Sequence, residues 1–205
     1  MYYQPTPINW QNYHFLIMSS PDNDSMKKCI KDLKTHKVKL LVRTCEKTYD
    51  EQPIKDAGIE IHENQFPDGQ LPSKDTIKKW LATVDEFFTD ENNGQSPTAN
   101  ATDKGINSHQ LYNNIEKQTN KPKKSGDELR IGVHCVAGLG RAPFFVAIAL
   151  VNNGCTPSNA IELIRKNRPG ALNLTQANYI LEFKGMSKKN KNKGKANSSC
   201  KCIIF

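Results

Sequence analysis

The passage ELRIGVHCVAGLGRAPFFVAIALVNN, residues 128–153, constrains the fold more than any other part of the chain. ELRIGVHC reads as a strand, Pro143 sits where the first turn of a helix accepts it, and the FFVAIALV that follows is apolar nearly all round. A helix without a polar face has to pack centrally against a sheet. A strand that feeds such a helix through a short turn belongs to a mainly parallel sheet covered on both faces. Other segments agree with this. YHFLIMSSP (13–21) and KVKLLVRTC (37–45) read as buried strands, and SMKKCIKDLKTH between them spaces Met26, Cys29, Ile30 and Leu33 at helical intervals, which predicts a βαβ unit. Ile59 and Ile61 mark a further strand. Ser73 caps a predicted helix over 73–88 whose apolar face is Ile77, Trp80, Leu81, Val84 and Phe88. Two more helical patterns, TPSNAIELIRKNR (156–168) and NLTQANYILEFK (173–184), close the body. The expectation is a single α/β domain over 1–184, its central, mainly parallel sheet flanked by helices.

Two segments break the pattern. Residues 90–127 are rich in Asn, Lys, Gly and Ser with almost no apolar periodicity, so a disordered insertion is predicted between a helix and the next strand. Residues 185–205 form a polybasic tail. Of the formal charge of +8, seven units come from the lysines at 184, 188, 189, 191, 193, 195 and 201, which leaves +1 for the rest. A near-neutral body argues against a nucleic-acid-binding fold. The six cysteines (29, 45, 135, 155, 200 and 202) include no C-x-x-C pair and no zinc-like spacing with histidine, so no metal, no cofactor and no secreted disulfide framework is expected. No apolar run approaches the length of a membrane span, and a soluble, intracellular body is expected.

Chemistry concentrates in the loop after the strand. His134, Cys135 and Arg141 fit H-C-x5-R, a coincidence expected about once in 10⁴ to 10⁵ positions on ordinary composition. Such a loop can turn the backbone N–H groups of Val136, Ala137, Gly138, Leu139, Gly140 and Arg141 inward, and its glycines permit the conformations this needs. The helix that follows presents its positive end to the same point. Arg141 can hold two oxygens of a tetrahedral dianion at once. The same field favours a thiolate, and cysteines at helix N-termini ionise with pKa values of roughly 3.5 to 7.5. Cys135 is thus a candidate nucleophile toward a phosphate monoester, attacked in line to give a phosphocysteine.

HCVAGLGRAP resembles the signature of cysteine-dependent protein tyrosine phosphatases, and within them the PRL family (phosphatases of regenerating liver, type IVA). FLIMSSP, LVRTCEKTYD, the FPDG loop, NRPGALN and a basic tail with a terminal cysteine fall in that family's order, over roughly residues 8–89 and 128–205. The resemblance implies a dual-specificity phosphatase-like fold, with Cys135 as nucleophile, Arg141 as phosphate ligand and His134 as a neighbour that tunes the thiolate. It implies Asp68 as general acid, although Asn64-Gln65 and Pro67 stand where the family usually has Trp-Pro and a second acid. It implies slow hydrolysis, because Ala142 occupies the position where most such phosphatases have a hydroxyl. It also implies that Cys45 can form a disulfide with Cys135 that protects the nucleophile from irreversible oxidation. The loop carries no lysine, which favours a phosphoprotein over a phosphoinositide as substrate.

The chain ends Cys202-Ile203-Ile204-Phe205, a C-a-a-X box beside the lysine cluster. Prenylation of Cys202 together with lysine attraction to anionic lipids predicts anchoring at the cytoplasmic face of the plasma membrane and endomembranes. Terminal Phe points to geranylgeranyl, whereas the family resemblance points to farnesyl. Members of the PRL family also bind cyclin M magnesium transporters through the catalytic face. The alternative function is therefore a binding protein whose pocket takes an acidic side chain of such a transporter. Homo-oligomers are compatible with either reading.

Overall fold

A computed structural model describes residues 5–92 and 128–186. The elements in chain order are β1 (Thr6–Trp10), β2 (Tyr13–Ser19), α1 (Met26–Thr35), β3 (Val38–Arg43), α2 (Gln52–Asp56), β4 (Glu60–Glu63), α3 (Lys74–Asn92), β5 (Arg130–Cys135), α4 (Arg141–Asn152), α5 (Pro157–Asn167) and α6 (Leu174–Glu182). The strands form one sheet in the order β1-β2-β5-β3-β4. β1 runs antiparallel to β2, and every other pairing is parallel. The predicted α/β domain with a mainly parallel sheet is the observed architecture. α3 runs on to Asn92, so residues 90–92, assigned in the sequence to the insertion, are helical instead; the rest of the predicted insertion, 93–127, and the tail beyond 186 with the anchor at Cys202 lie outside the described residues.

Three further features differ from the sequence reading. β1 was not anticipated; it holds Pro7, and at the edge of a sheet a proline is tolerated, since one side of the strand needs no ladder bond. The five-residue α2 is too short for a periodic signal. The βαβ unit β2-α1-β3 exists, but β5 inserts between its two strands.

Strand alternation sorts the core into two layers. Phe15 and Ile17, Leu40 and Val42, and Ile131, Val133 and Cys135 share a cluster with α3, α4, α5 and α6. Leu16, Met18 and Leu41 join α1 and α2 on the other face. α4 is buried continuously from Arg141 to Leu150, as its unbroken apolarity requires. α3 is locked onto it by Trp80, whose ring stacks on Phe145 at 5.5 Å and whose Nε1–H donates to the Phe145 carbonyl at 2.7 Å. On the opposite face Gly132 leaves room for the side chains of the neighbouring β3: a Cβ there would lie 2.9 Å from Leu41 Cδ1 and 3.1 Å from Val38 Cγ1.

Candidate active site

Parallel strands deliver their C-terminal ends to one edge of the sheet, and in open α/β sheets that edge carries the ligand crevice. Cys135 is the last residue of β5, and Arg141 begins α4. The five residues between them form the loop. Gly138, at φ 71°, makes its sharpest bend; a Cβ there would lie 2.5 Å from the Met18 carbonyl oxygen and 2.6 Å from Arg168 Nη2, so only glycine fits. The Gly138 N–H donates to Cys135 Sγ at 3.2 Å. Cys135 itself is almost fully buried.

The loop opens on a cleft of about 350 Å³. Cys135, Val136, Ala137, Leu139, Gly140, Arg141 and Asp68 line it, while Gly138 lies behind them. The buried Arg141 guanidinium donates from Nη1 to the Phe66 carbonyl at 3.1 Å. Its Nε lies 3.1 Å from Asp68 Oδ1, an ion-pair contact without hydrogen-bond alignment. Glu46 Oε2 stands 3.5 Å from Nη1. The Glu46 carboxyl is held below the usual carboxylate range by its own backbone amide and then by Arg141. Asp68 projects from the FPDG turn with a largely exposed side chain. That turn is anchored by Phe66, 5.2 Å from the Phe145 ring, and by buried Asn64, whose Nδ2–H donates to the Thr76 carbonyl at 3.3 Å. The unusual Asn64 is thus a strut to α3, set back from the cleft.

The remaining predicted residues fall outside the cleft. His134 alternates to the other face of β5, where its Nε2 meets the Tyr49 hydroxyl at 2.8 Å. Burial is the main cause that pushes its pKa down to about 3, so the ring stays neutral. Its side chain is directed away from the sulfur, and any tuning of the thiol passes through the backbone. Cys45 is fully buried in the same core cluster as Cys135, and both are free thiols. Burial pushes the Cys45 thiol up to about 11.

Four residues at the site escaped the sequence reading. Glu46 carried no signal beyond its place after Cys45. Asn173 and Gln176 line the cleft and form the capping box of α6: Gln176 N–H donates to Asn173 Oδ1 at 2.8 Å, and Asn173 N–H to Gln176 Oε1 at 3.2 Å. The N-x-x-Q spacing was the available clue. Arg168, buried behind the loop, belongs to the NRPGALN stretch, which served only as a point of resemblance.

No family model matches the chain. A probable type IVA A protein tyrosine phosphatase of Dictyostelium discoideum is 33% identical over 181 residues, which cover 88% of this chain and 88% of that protein. The PRL-1 protein tyrosine phosphatase of Leishmania major is 36% identical over 173 residues, covering 84% and 82% of the two chains. The chain belongs to the PRL family of protein tyrosine phosphatases. A solved protein tyrosine phosphatase structure from Leishmania major superposes with a TM-score of 0.67 at 32% identity, over 88% of this chain and 99% of that one. The PRL chain therefore has a cysteine-phosphatase fold, with H-C-x5-R at the turn from β5 to α4.

Proposed function

We propose that this protein dephosphorylates phosphotyrosine, with phosphoserine or phosphothreonine as further substrates, through a phosphocysteine on Cys135. The observation that carries the reading is the position of Cys135 Sγ, 3.2 Å from the Gly138 amide in a cleft that Arg141 also lines. A phosphoryl group entering the cleft meets the loop amides and displaces Asp68 from Arg141, which then holds two of its oxygens. Cys135 attacks phosphorus as the thiolate, opposite the ester oxygen. Asp68, released from Arg141 and protonated, supplies the proton as that oxygen leaves. Water then cleaves the S–P bond. Ala142 brings no hydroxyl to the departing thiolate, and this second step is slow.

Two further properties belong to the same proposal. When peroxide oxidises Cys135 to a sulfenic acid, the Cys45 thiolate attacks its sulfur and expels hydroxide, and the resulting disulfide shields the nucleophile. Prenylation of Cys202 and the lysine-rich tail hold the enzyme at the cytoplasmic face of membranes.

A second reading is favoured by one contact. The Asp68 carboxylate lies against Arg141, which supports a pocket able to take a carboxylate in place of a phosphate. The partner would be a protein presenting an acidic side chain, such as a magnesium transporter of the cyclin M type. Capture from lysate with Cys135→Ser and with Asp68→Ala separates the two readings. A phosphoprotein substrate is retained by both variants and released by orthovanadate. A partner that inserts a carboxylate is held by the wild-type chain and by Asp68→Ala without being a phosphoprotein, and that result would replace the enzymatic reading.

A further inference from the structure

Arg168 occupies an unusual place for a charged side chain. It is 6% exposed, at the C-terminus of α5, and it reaches the back of the anion loop. Its Nε–H donates to the Gly138 carbonyl at 2.6 Å and its Nη2–H to the Ala137 carbonyl at 3.1 Å. Its Nη1–H donates to Thr6 Oγ1 in β1 at 2.9 Å. Four residues on, the Leu172 N–H donates to the Leu139 carbonyl at 2.8 Å. Leu172 is itself fixed in the left-handed region, φ 67°, with its carbonyl held by Arg165 Nη2 at 3.0 Å. Three consecutive loop carbonyls, 137, 138 and 139, are therefore held from one side by the stretch 168–172.

Peptide planarity turns this into a statement about the site. The described chain has no cis peptide bonds, and in a trans peptide the carbonyl of one residue and the N–H of the next point in opposite directions. Drawing the Ala137 carbonyl toward Arg168 aims the Gly138 N–H away from it, and that N–H donates to Cys135 Sγ. By the same rule the Gly138 carbonyl orients the Leu139 N–H, and the Leu139 carbonyl orients the Gly140 N–H, toward the cleft both residues line. The guanidinium suits the task because its rigid fork spans two adjacent carbonyls, which a single ammonium cannot do with the same geometry.

We infer that Arg168 is a positioning residue for phosphoryl transfer, clamping the Ala137 and Gly138 carbonyls so that the loop amides converge on the Cys135 sulfur and the incoming oxyanion. This role rests on the phosphatase reading above. It assigns Arg168 no contact with substrate and makes the oxyanion-binding geometry depend on a residue outside H-C-x5-R.

The test compares full-length wild type, Arg168→Lys, Arg168→Gln and Thr6→Val in orthovanadate affinity and in iodoacetamide alkylation of Cys135 across pH, with circular dichroism to verify folding. Arg168→Lys and Arg168→Gln are expected to bind orthovanadate at least tenfold more weakly. Their Cys135 is expected to alkylate several-fold more slowly than wild type at neutral pH and to catch up at alkaline pH, a change in pH profile that a merely structural residue would not produce. Thr6→Val, which removes only the third contact, stays within twofold of wild type. A folded Arg168 variant with wild-type vanadate affinity and alkylation profile overturns the inference, as does a Thr6→Val loss equal to that of Arg168→Lys. Unfolding of both Arg168 variants would make the residue structural and overturn it as well. A wild-type chain that binds no orthovanadate would instead overturn the phosphatase reading itself, and the positioning role with it.

Discussion

Two buried cysteines in one core cluster differ in what surrounds their sulfurs. Cys135 receives the Gly138 N–H, whereas Cys45 is enclosed by the core, and its thiol stays protonated up to about pH 11. That difference sets the pH dependence of the proposed disulfide. A raised pKa keeps the attacking group neutral at physiological pH, so the thiolate fraction of Cys45 grows about tenfold for each pH unit until its pKa is approached. Peptide mapping after limited peroxide treatment should therefore find more linked Cys45–Cys135 peptide, and less sulfinic acid at Cys135, at pH 9 than at pH 7. Sulfinic acid at Cys135 with no linked peptide at either pH would remove Cys45 from the redox account. His134 shows a third outcome of burial, a ring kept neutral by desolvation and directed to the face opposite the sulfur.

Among elements, α4 carries the architecture and α3 holds it in place. Trp80 joins stacking to a buried hydrogen bond, so Trp80→Ala leaves a cavity and also removes the indole's bond to the Phe145 carbonyl. A loss of about 3 to 5 kcal/mol is expected in urea unfolding, and a loss below about 1 kcal/mol would show that α3 is not fastened there. The elements that were legible in the sequence are those with long periodic signals. β2, β3 and β5 read as apolar runs, α4 as a helix without a polar face, and α3 as a stripe from Ile77 to Phe88. What stayed hidden depends on tertiary contact. β1 becomes a strand because it takes an edge where Pro7 is harmless, and the insertion of β5 between β2 and β3 is a matter of topology. At the site, Cys135, Arg141 and the loop amides were legible because a single motif contains them. Arg168 and Gln176 arrive from α5 and α6, and only folding brings them to the loop.

For the molecule as a whole, parallel strands collect the thiol, the guanidinium and the FPDG turn at one edge of the sheet, from segments far apart in the chain. In the sequence the net basic charge is concentrated in residues 184–205. A single prenyl chain gives marginal anchoring, with lysines near an anionic surface adding about 1 kcal/mol each. Cys202→Ser is accordingly expected to move the protein from the membrane fraction of cells to the supernatant, and unchanged partitioning would refute the anchor. The central claim, that Cys135 is a nucleophile feeding a slow second step, is tested most directly by intact-mass analysis after rapid mixing with an aryl phosphate. The account predicts a species heavier by one phosphoryl group that maps to Cys135, outlasts the burst of phenol release, and decays faster in Ala142→Ser. Phenol release with no such adduct, or an adduct that persists in Cys135→Ser, would contradict it.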